Sequence, residues 1–292
     1  MMKSLAPPVT VPVPRPNRLL RLLGGFGWTG LLGLAVLLFW IGAAAFGPAM
    51  LVRGSGSGSS AVFAPISALH WLGTDYLGRD MLIRVIDGAR STVGVALLAT
   101  LFASGVGTTL ALLAASHGGL LDSSLSRALD TLTAIPSKMF ALIMVAGFGS
   151  SVVMLVATAA IIYTPGAYRI ARSLAVNINA LDYVVVARTR GEGTLYITLR
   201  EILPNILGPM LADLGLRFVY VVLLLAGLSF LGLGIQPPAA DWGSLVRENI
   251  GDLTAAGASV IAPAIAIASL TIAVNLVIDN LPGRAARERG AR

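Results

Sequence analysis

Cysteine is absent from the 292 residues, which excludes disulfides, cysteine-ligated zinc, thiol catalysis and iron–sulfur clusters. Histidine is nearly absent too: His70 and His117 stand far apart and make no metal site by themselves. Charge is scarce, at 12% of residues against roughly 25% in a soluble domain. With 56% hydrophobic residues and a mean hydropathy of +0.83, too little polar surface exists to cover a water-soluble globule. The composition is that of an integral membrane protein. Catalytic and nucleotide motifs are missing as well. No G-x-x-x-x-G-K-[ST] loop occurs to cradle ATP phosphates, and H-E-x-x-H and G-x-S-x-G are both absent. No catalytic or metal-ligating set emerges, so any energy used must come from a partner or a gradient.

What is present begins with a basic excess of +7. In a chain this apolar, such an excess fixes topology and meets anionic head groups rather than nucleic acid. Residues 1–25 carry Lys3, Arg15, Arg18 and Arg21 with no acid, and include the run PPVTVPVPRP. Proline keeps that run from forming a helix, so a cytoplasmic tail is expected. An apolar run at 26–48 is long enough to cross a hydrocarbon core of ~30 Å and reads as a retained span rather than a cleaved signal. Five further spans are predicted at 92–115, 129–148, 151–168, 206–234 and 256–278. Six crossings return the basic tail 282–292 to the side of the first. The loop 169–200 carries five arginines on that inner side, whereas the outer loop 235–255 carries only Arg247.

Between the first two spans, residues 49–91 form an outer loop that opens with the linker GSGSGSS. From Met81 the apolar positions Met81, Leu82, Val85 and Ile86 recur at helical spacing with Arg84 and Asp87 opposite, which predicts an interfacial amphipathic helix. Asp75, Arg79 and Asp80 read as a solvated turn with locally paired charges. The other reading makes them, with Pro238 and Trp242, part of an outer gate or a docking surface. Within the spans, Pro136 and Pro165 are expected to kink their helices. Asp213 and Arg217, four apart, share one helix face with the acid first, an ion-pairing order. Charges at that depth either line a translocation path or neutralise each other where helices pack. Lys138 is expected to snorkel to the inner face.

The polar insert 182–205, DYVVVARTRGEGTLYITLREILPN, is the most informative stretch. Residues 181–190 can form a short helix, Gly191 and Gly193 a sharp turn, and residues 194–202 a second helix that Pro204 stops. Ala187 and Gly191 are expected to allow close helix approach. Arg188, Arg190 and Arg200 would meet polar partners or head groups. The three β-branched residues Val184, Val185 and Val186 lower helix propensity, so tertiary contacts must hold the first helix.

This insert resembles the cytoplasmic EAA loop of bacterial ABC importer permeases, with matches at Ala187, Arg188, Gly191, Leu203, Pro204 and Asn205. Where the family has Glu-Ala-Ala, this chain has Val185, Val186 and Ala187. The segments GTDYLGRDMLIRVIDGARS and LSFLGLGIQPPAADWGSL resemble two further stretches of the C-type permeases of dipeptide, oligopeptide and nickel importers. The resemblance covers most of the chain from the first span to Leu281. It implies an all-α polytopic protein with about six transmembrane helices and the ABC type I importer permease fold. Residues 92–281 would be the permease core and 180–205 the loop that couples to the ATPase, with Asp182, Tyr183, Val185 and Arg200 on its surface. It further implies a second, homologous permease, two ATPase subunits that hold ATP and magnesium, and an extracytoplasmic solute-binding protein. This chain itself would bind no cofactor. It would lie in the inner membrane with both termini cytoplasmic. The rival readings are a self-sufficient secondary transporter built on Asp213 and Arg217, and a purely structural anchor.

Overall fold

The computed structural model describes residues 27–51, 61–254 and 257–281. The two basic tails and the GSGSGSS linker lie outside these residues. Among the described residues the secondary structure is helical, apart from an isolated bridge between Thr74 and Asp80. In chain order, α1 is Trp28–Leu51, α2 Met81–His117, α3 Gly119–Thr133, α4 Ser137–Phe148, α5 Val152–Asn179 and α6 Asp182–Thr189. Helix α7 runs over Thr194–Phe230, α8 over Trp242–Glu248 and α9 over Ala258–Asp279, with a 3₁₀ turn at Ile250–Thr254 before α9. Helices α1, α2, α5, α7 and α9 are each long and apolar enough to cross a membrane, while α3 and α4 are bent by 82° at their break.

Side-chain contacts decide whether that bent pair crosses. Thr92 and Val95 of α2 meet Leu155 near the start of α5 around one small cavity. Further along, Gly107 lies against Thr164, Ala167 and Tyr168. At the far end, Asn179 Nδ2 donates to the Ala115 carbonyl at 3.2 Å. Helices α2 and α5 therefore run parallel, so the chain between them has to travel back across the bilayer. The bent pair does this as one broken span, giving six passes. Helix α1 runs antiparallel to α9: Gly27 N donates to Asn280 Oδ1 at 3.1 Å, and Trp40 Nε1 donates to Ser269 Oγ at 3.0 Å. Both described ends of the chain thus lie at one face of the bundle.

The α2–α5 contact is close because it is built from small residues, with Ala96, Ala99, Ala103, Ala111, Ala159, Ala167, Ala171 and Ala175 all buried. A Cβ on Gly107 would stand 2.6 Å from Ala167 Cβ and 2.9 Å from the Thr164 carbonyl. Gly107→Ala should therefore overpack this seam by about 1–3 kcal/mol, read as a lower melting temperature of the detergent-solubilised protein.

Several boundaries differ from the sequence reading. The second span starts at Met81 rather than 92, because the segment read as an interfacial helix is its first turns. Met81, Val85 and Ala89 face the core, and Arg84, read as solvated, is buried by the loops above it. The fourth span continues to Asn179 rather than ending at 168. Pro165 stays inside it, whereas Pro136 ends one helix and precedes the next instead of kinking a continuous span. A residue before proline is steered away from the helical region, which favours the break there.

At the face opposite the chain ends, the loops are pinned by buried polar groups. Asp75, read as solvated, is 0% exposed. It accepts from the amides of Leu77 (2.9 Å) and Arg79 (2.8 Å) and from Arg79 Nε (2.6 Å). Asp80 caps α2 by accepting from Leu82 N (2.9 Å) and Ile83 N (3.3 Å), and it pairs with His70 at 2.9 Å. The expected local pairing is present, but inside the loop rather than in solvent. Asp241 caps α8 through Gly243 N and Ser244 N and accepts from Ser229 Oγ at 2.8 Å. Burial holds its carboxyl above the ordinary range, against the opposing pull of Ser229 and those amides.

Candidate functional site: the polar knuckle and the helix break

The knuckle at the chain-end face is α6, a turn at residues 190–193, and the start of α7. Helix α6 forms despite its three valines because Val184 (0% exposed) and Ala187 (8%) pack into a cluster with Tyr168, Ile202, Ile206 and Met210. The outward side is apolar and open, with Val185, Val186, Tyr183, Leu195 and Tyr196 all exposed. Asp182, Arg188, Arg190 and Arg200 are exposed beside them. Arg188 Nη2 donates to Asn179 Oδ1 at 2.6 Å, and Asn179 in turn holds the end of α2. That arginine braces the knuckle against α5 and is not simply free for a partner. Gly191 has φ +84, and a Cβ there would meet nothing within 4 Å. Its role is the left-handed turn, and the expected close helix approach falls to Ala187 alone.

The Leu203–Pro204–Asn205 triad does not stop the second helix. Helix α7 runs through it because a π turn at Ile197–Ile202 absorbs the proline. The Leu203 amide reaches five residues back to the Thr198 carbonyl. Pro204 has no N–H for the Arg200 carbonyl, and the wider turn makes room for its ring. Asn205 Nδ2 then takes the Glu201 carbonyl (2.6 Å) and also donates to Tyr183 OH (3.2 Å), tying α7 to α6.

The second locus is the break between α3 and α4. Arg217 Nη2 and Nε donate to Asp213 Oδ2 at 2.6 and 3.2 Å, and Nη1 donates to the Tyr163 carbonyl of α5 at 2.6 Å. The guanidinium can reach α5 because residue 166 is glycine: a Cβ there would lie 2.9 Å from Nη1. The pair thus sits at a helix packing contact and also borders a cavity of about 320 Å³, lined among others by Thr133, Pro136, Ser137, Tyr163, Arg169 and Arg217. Arg169 donates to Asp130 Oδ1 (2.8 Å from Nη2) and to Thr133 Oγ1 (2.8 Å). Arg172 pairs with Asp122 farther towards the knuckle. Lys138 is exposed in the first turn of α4, beside this cavity. It therefore stands at the break rather than snorkelling to the chain-end face. Arg169 was not singled out from sequence, and at Pro136 a kink was expected rather than a break. The signal for both was the cluster of Asp130, Thr131, Thr133, Pro136, Ser137 and Lys138 inside a predicted span.

A larger groove of about 650 Å³ lies between α2 and the first half of α7, lined by Leu101, Leu112, Leu199, Leu207 and Met210 among others. No carboxylate or guanidinium lines it. At the opposite face, Trp242 is 0% exposed. Its Nε1 donates to the Val85 carbonyl at 2.8 Å, and its ring packs edge-on against Trp40 at 4.6 Å. Buried as they are, the side chains of Trp242 and Asp75 present no docking surface. Pro238 is exposed and its carbonyl faces Arg84 Nη1 at 3.5 Å; Arg79 is half-buried over Asp75. Among the described residues no group of three or more acids or histidines could hold a metal.

Comparison with known proteins bears on both loci. The pattern of the family described as "binding-protein-dependent transport system inner membrane component" matches residues 107–287, which include the break, the knuckle and α7. The glutathione transport system permease protein of Pectobacterium atrosepticum is 35% identical over 215 residues, covering 74% of this chain and 71% of that protein. The dipeptide transport system permease protein of Haemophilus influenzae is 34% identical over 212 residues, covering 73% and 72%. Its counterpart in Alkalihalophilus pseudofirmus is 34% identical over 215 residues, covering 74% and 71%.

Proposed function

This chain belongs to the binding-protein-dependent transport system inner membrane component family, and from that premise we propose that it is one of two permease subunits of an ATP-driven peptide importer. As a multi-pass membrane subunit of a transport system, it forms part of a path and catalyses no covalent reaction. Relatives named for glutathione and dipeptide transport support small peptides as the substrate class. The observation that carries the mechanistic reading is the knuckle. Val185, Val186 and Leu195 are exposed on a braced helix pair that also exposes Arg190 and Arg200. Such a surface suits the cleft of an ATPase subunit, with the chain-end face cytoplasmic. ATP-driven closure of two ATPases would then tilt α7 and expose the path alternately to the two sides. A second permease completes the enclosure, and an extracytoplasmic binding protein delivers the peptide to the opposite face. ATP and magnesium stay on the ATPases.

Co-expression with the other components of its transport system tests this. The expected result is co-purification with an ATPase pair and a second permease, and ATP-dependent accumulation of a radiolabelled tripeptide in vesicles. Gly191→Val forces a β-branched side chain into a left-handed turn and should cut uptake at least about tenfold, equivalent to ~1.4 kcal/mol of coupling. Uptake by this chain alone, driven by a proton gradient without ATP, would establish the secondary-transporter reading instead.

A further inference from the structure

The break lies midway along the bundle, on its exposed side. Helix α5 has 28 residues and so extends about 42 Å, with Pro165 at its midpoint. Arg217 is at the midpoint of the equally long segment Leu203–Phe230. Pro136 and Ser137 line the same cavity as the α5 residues flanking Pro165. An interrupted helix, an ion pair and a cavity therefore share one depth, near the bilayer centre. Irregular backbone there is tolerated only inside protein or against water. The polar groups around the break, Asp130, Thr133, Ser137, Lys138 and Arg169, are exposed on this chain. Such groups suit a cavity that opens on a wet interior rather than on lipid.

Its chemistry is one-sided. Arg169 and Arg217 both line it, while their partners Asp130 and Asp213 do not. Each guanidinium has five N–H groups. Arg217 commits three, to Asp213 and Tyr163, and Arg169 commits three, to Asp130 and Thr133. Each acid fixes its arginine like a hinge pin and leaves donors over for the cavity. Helix α4 begins at the same place with no side-chain cap, adding the positive end of a helix dipole. The volume of about 320 Å³ is at the lower bound of small-molecule sites, roughly 300–1,000 Å³, which suits one end of a small peptide.

We propose that this cavity holds the free carboxylate of a peptide during its passage, gripped by Arg217 and Arg169; the inference rests on the peptide-importer reading above. Gly166 is the residue that admits the Arg217 guanidinium to this position, and so acts as a positioning residue.

The absence of cysteine from this chain supplies the test. In the complete transporter in lipid nanodiscs, Ser137→Cys places the chain's only thiol on the cavity wall. Its labelling rates with an anionic and a cationic methanethiosulfonate of similar size are compared with those of a free thiol. The expected result is a ratio shifted roughly tenfold towards the anionic reagent. Arg169→Gln and Gly166→Ala should each reduce that shift, and trialanine, but not trialanine amide, should slow the reaction. A ratio no higher than the free thiol's, no reaction with either reagent, or equal slowing by the amide overturns the site. Uptake of trialanine by the transporter without the cysteine, reconstituted into sealed vesicles, is read separately. No ATP-dependent uptake sinks the peptide reading, whereas normal uptake without an anion preference at S137C sinks the carboxylate site alone.

Discussion

Arg217→Met alone is expected to destabilise the protein by about 3–5 kcal/mol, whereas Asp213→Leu combined with Arg217→Met should be close to neutral. The single change leaves Asp213, with a side chain only 11% exposed, as an uncompensated charge near the bilayer centre. It also strips the Tyr163 carbonyl of the Arg217 donor it receives at 2.6 Å. The double change removes both charges and returns apolar volume, so the desolvation cost disappears with the attraction that offset it. Fluorescence-detected size exclusion of detergent extracts, followed over temperature, measures the difference. Equal loss in the single and double variants would show that the pair stabilises the fold through its own attraction. The double variant should still fail to import peptide, because the cavity then lacks one of its two guanidinium groups.

Trp242→Ala is the second large effect, at about 3–5 kcal/mol. The indole is fully enclosed, and its loss forfeits the contact with Trp40 and the hydrogen bond to Val85. It also opens a void beneath Gly88, whose missing Cβ would lie 3.1 Å from the indole Cδ1. Trp242→Phe keeps most of the volume and should recover more than half of the loss, leaving the missing indole hydrogen bond to Val85 as the rest of the cost. Thermal unfolding followed by accessibility of a buried reporter reads both variants, and an unchanged midpoint in Trp242→Ala would mean that α8 is not held by this side chain.

The spans were legible because a run of about 20 apolar residues has few alternatives. Their ends were not, because Met81 to Arg90 is amphipathic by composition and becomes a buried helix start only when Asp75, Pro238 and Glu248 close over Arg84. The prolines show the same dependence. Pro136 and Pro165 look alike in sequence, yet Pro165 is clamped within the α2–α5 seam and stays helical, whereas the residues around Pro136 are exposed and border an open cavity. The ion pair of Asp213 with Arg217 followed directly from i,i+4 spacing. Its neighbour across the gap, Arg169, lies 48 residues away in the chain, and only the packing of α7 on α5 brings the two to one cavity. In the knuckle, the turn at Gly191 was readable from glycine. The survival of the helix through Pro204 was not, because it depends on a π turn that sequence propensity does not mark.

The hydrogen bond between Tyr183 and Asn205 joins the knuckle to the long helix on the far side of that irregular turn. A push on α6 enters α7 at Asn205, bypassing the π turn, and Arg217 stands 12 residues farther on, about 18 Å along the rod. The contacts it meets there include the guanidinium resting on the Tyr163 carbonyl across Gly166 and the Tyr163 hydroxyl donating to the Tyr220 carbonyl. On the coupling proposed above, tilting the rod would slide that guanidinium along a neighbouring backbone, so that one stroke at the face of the membrane would become a change of grip at its centre.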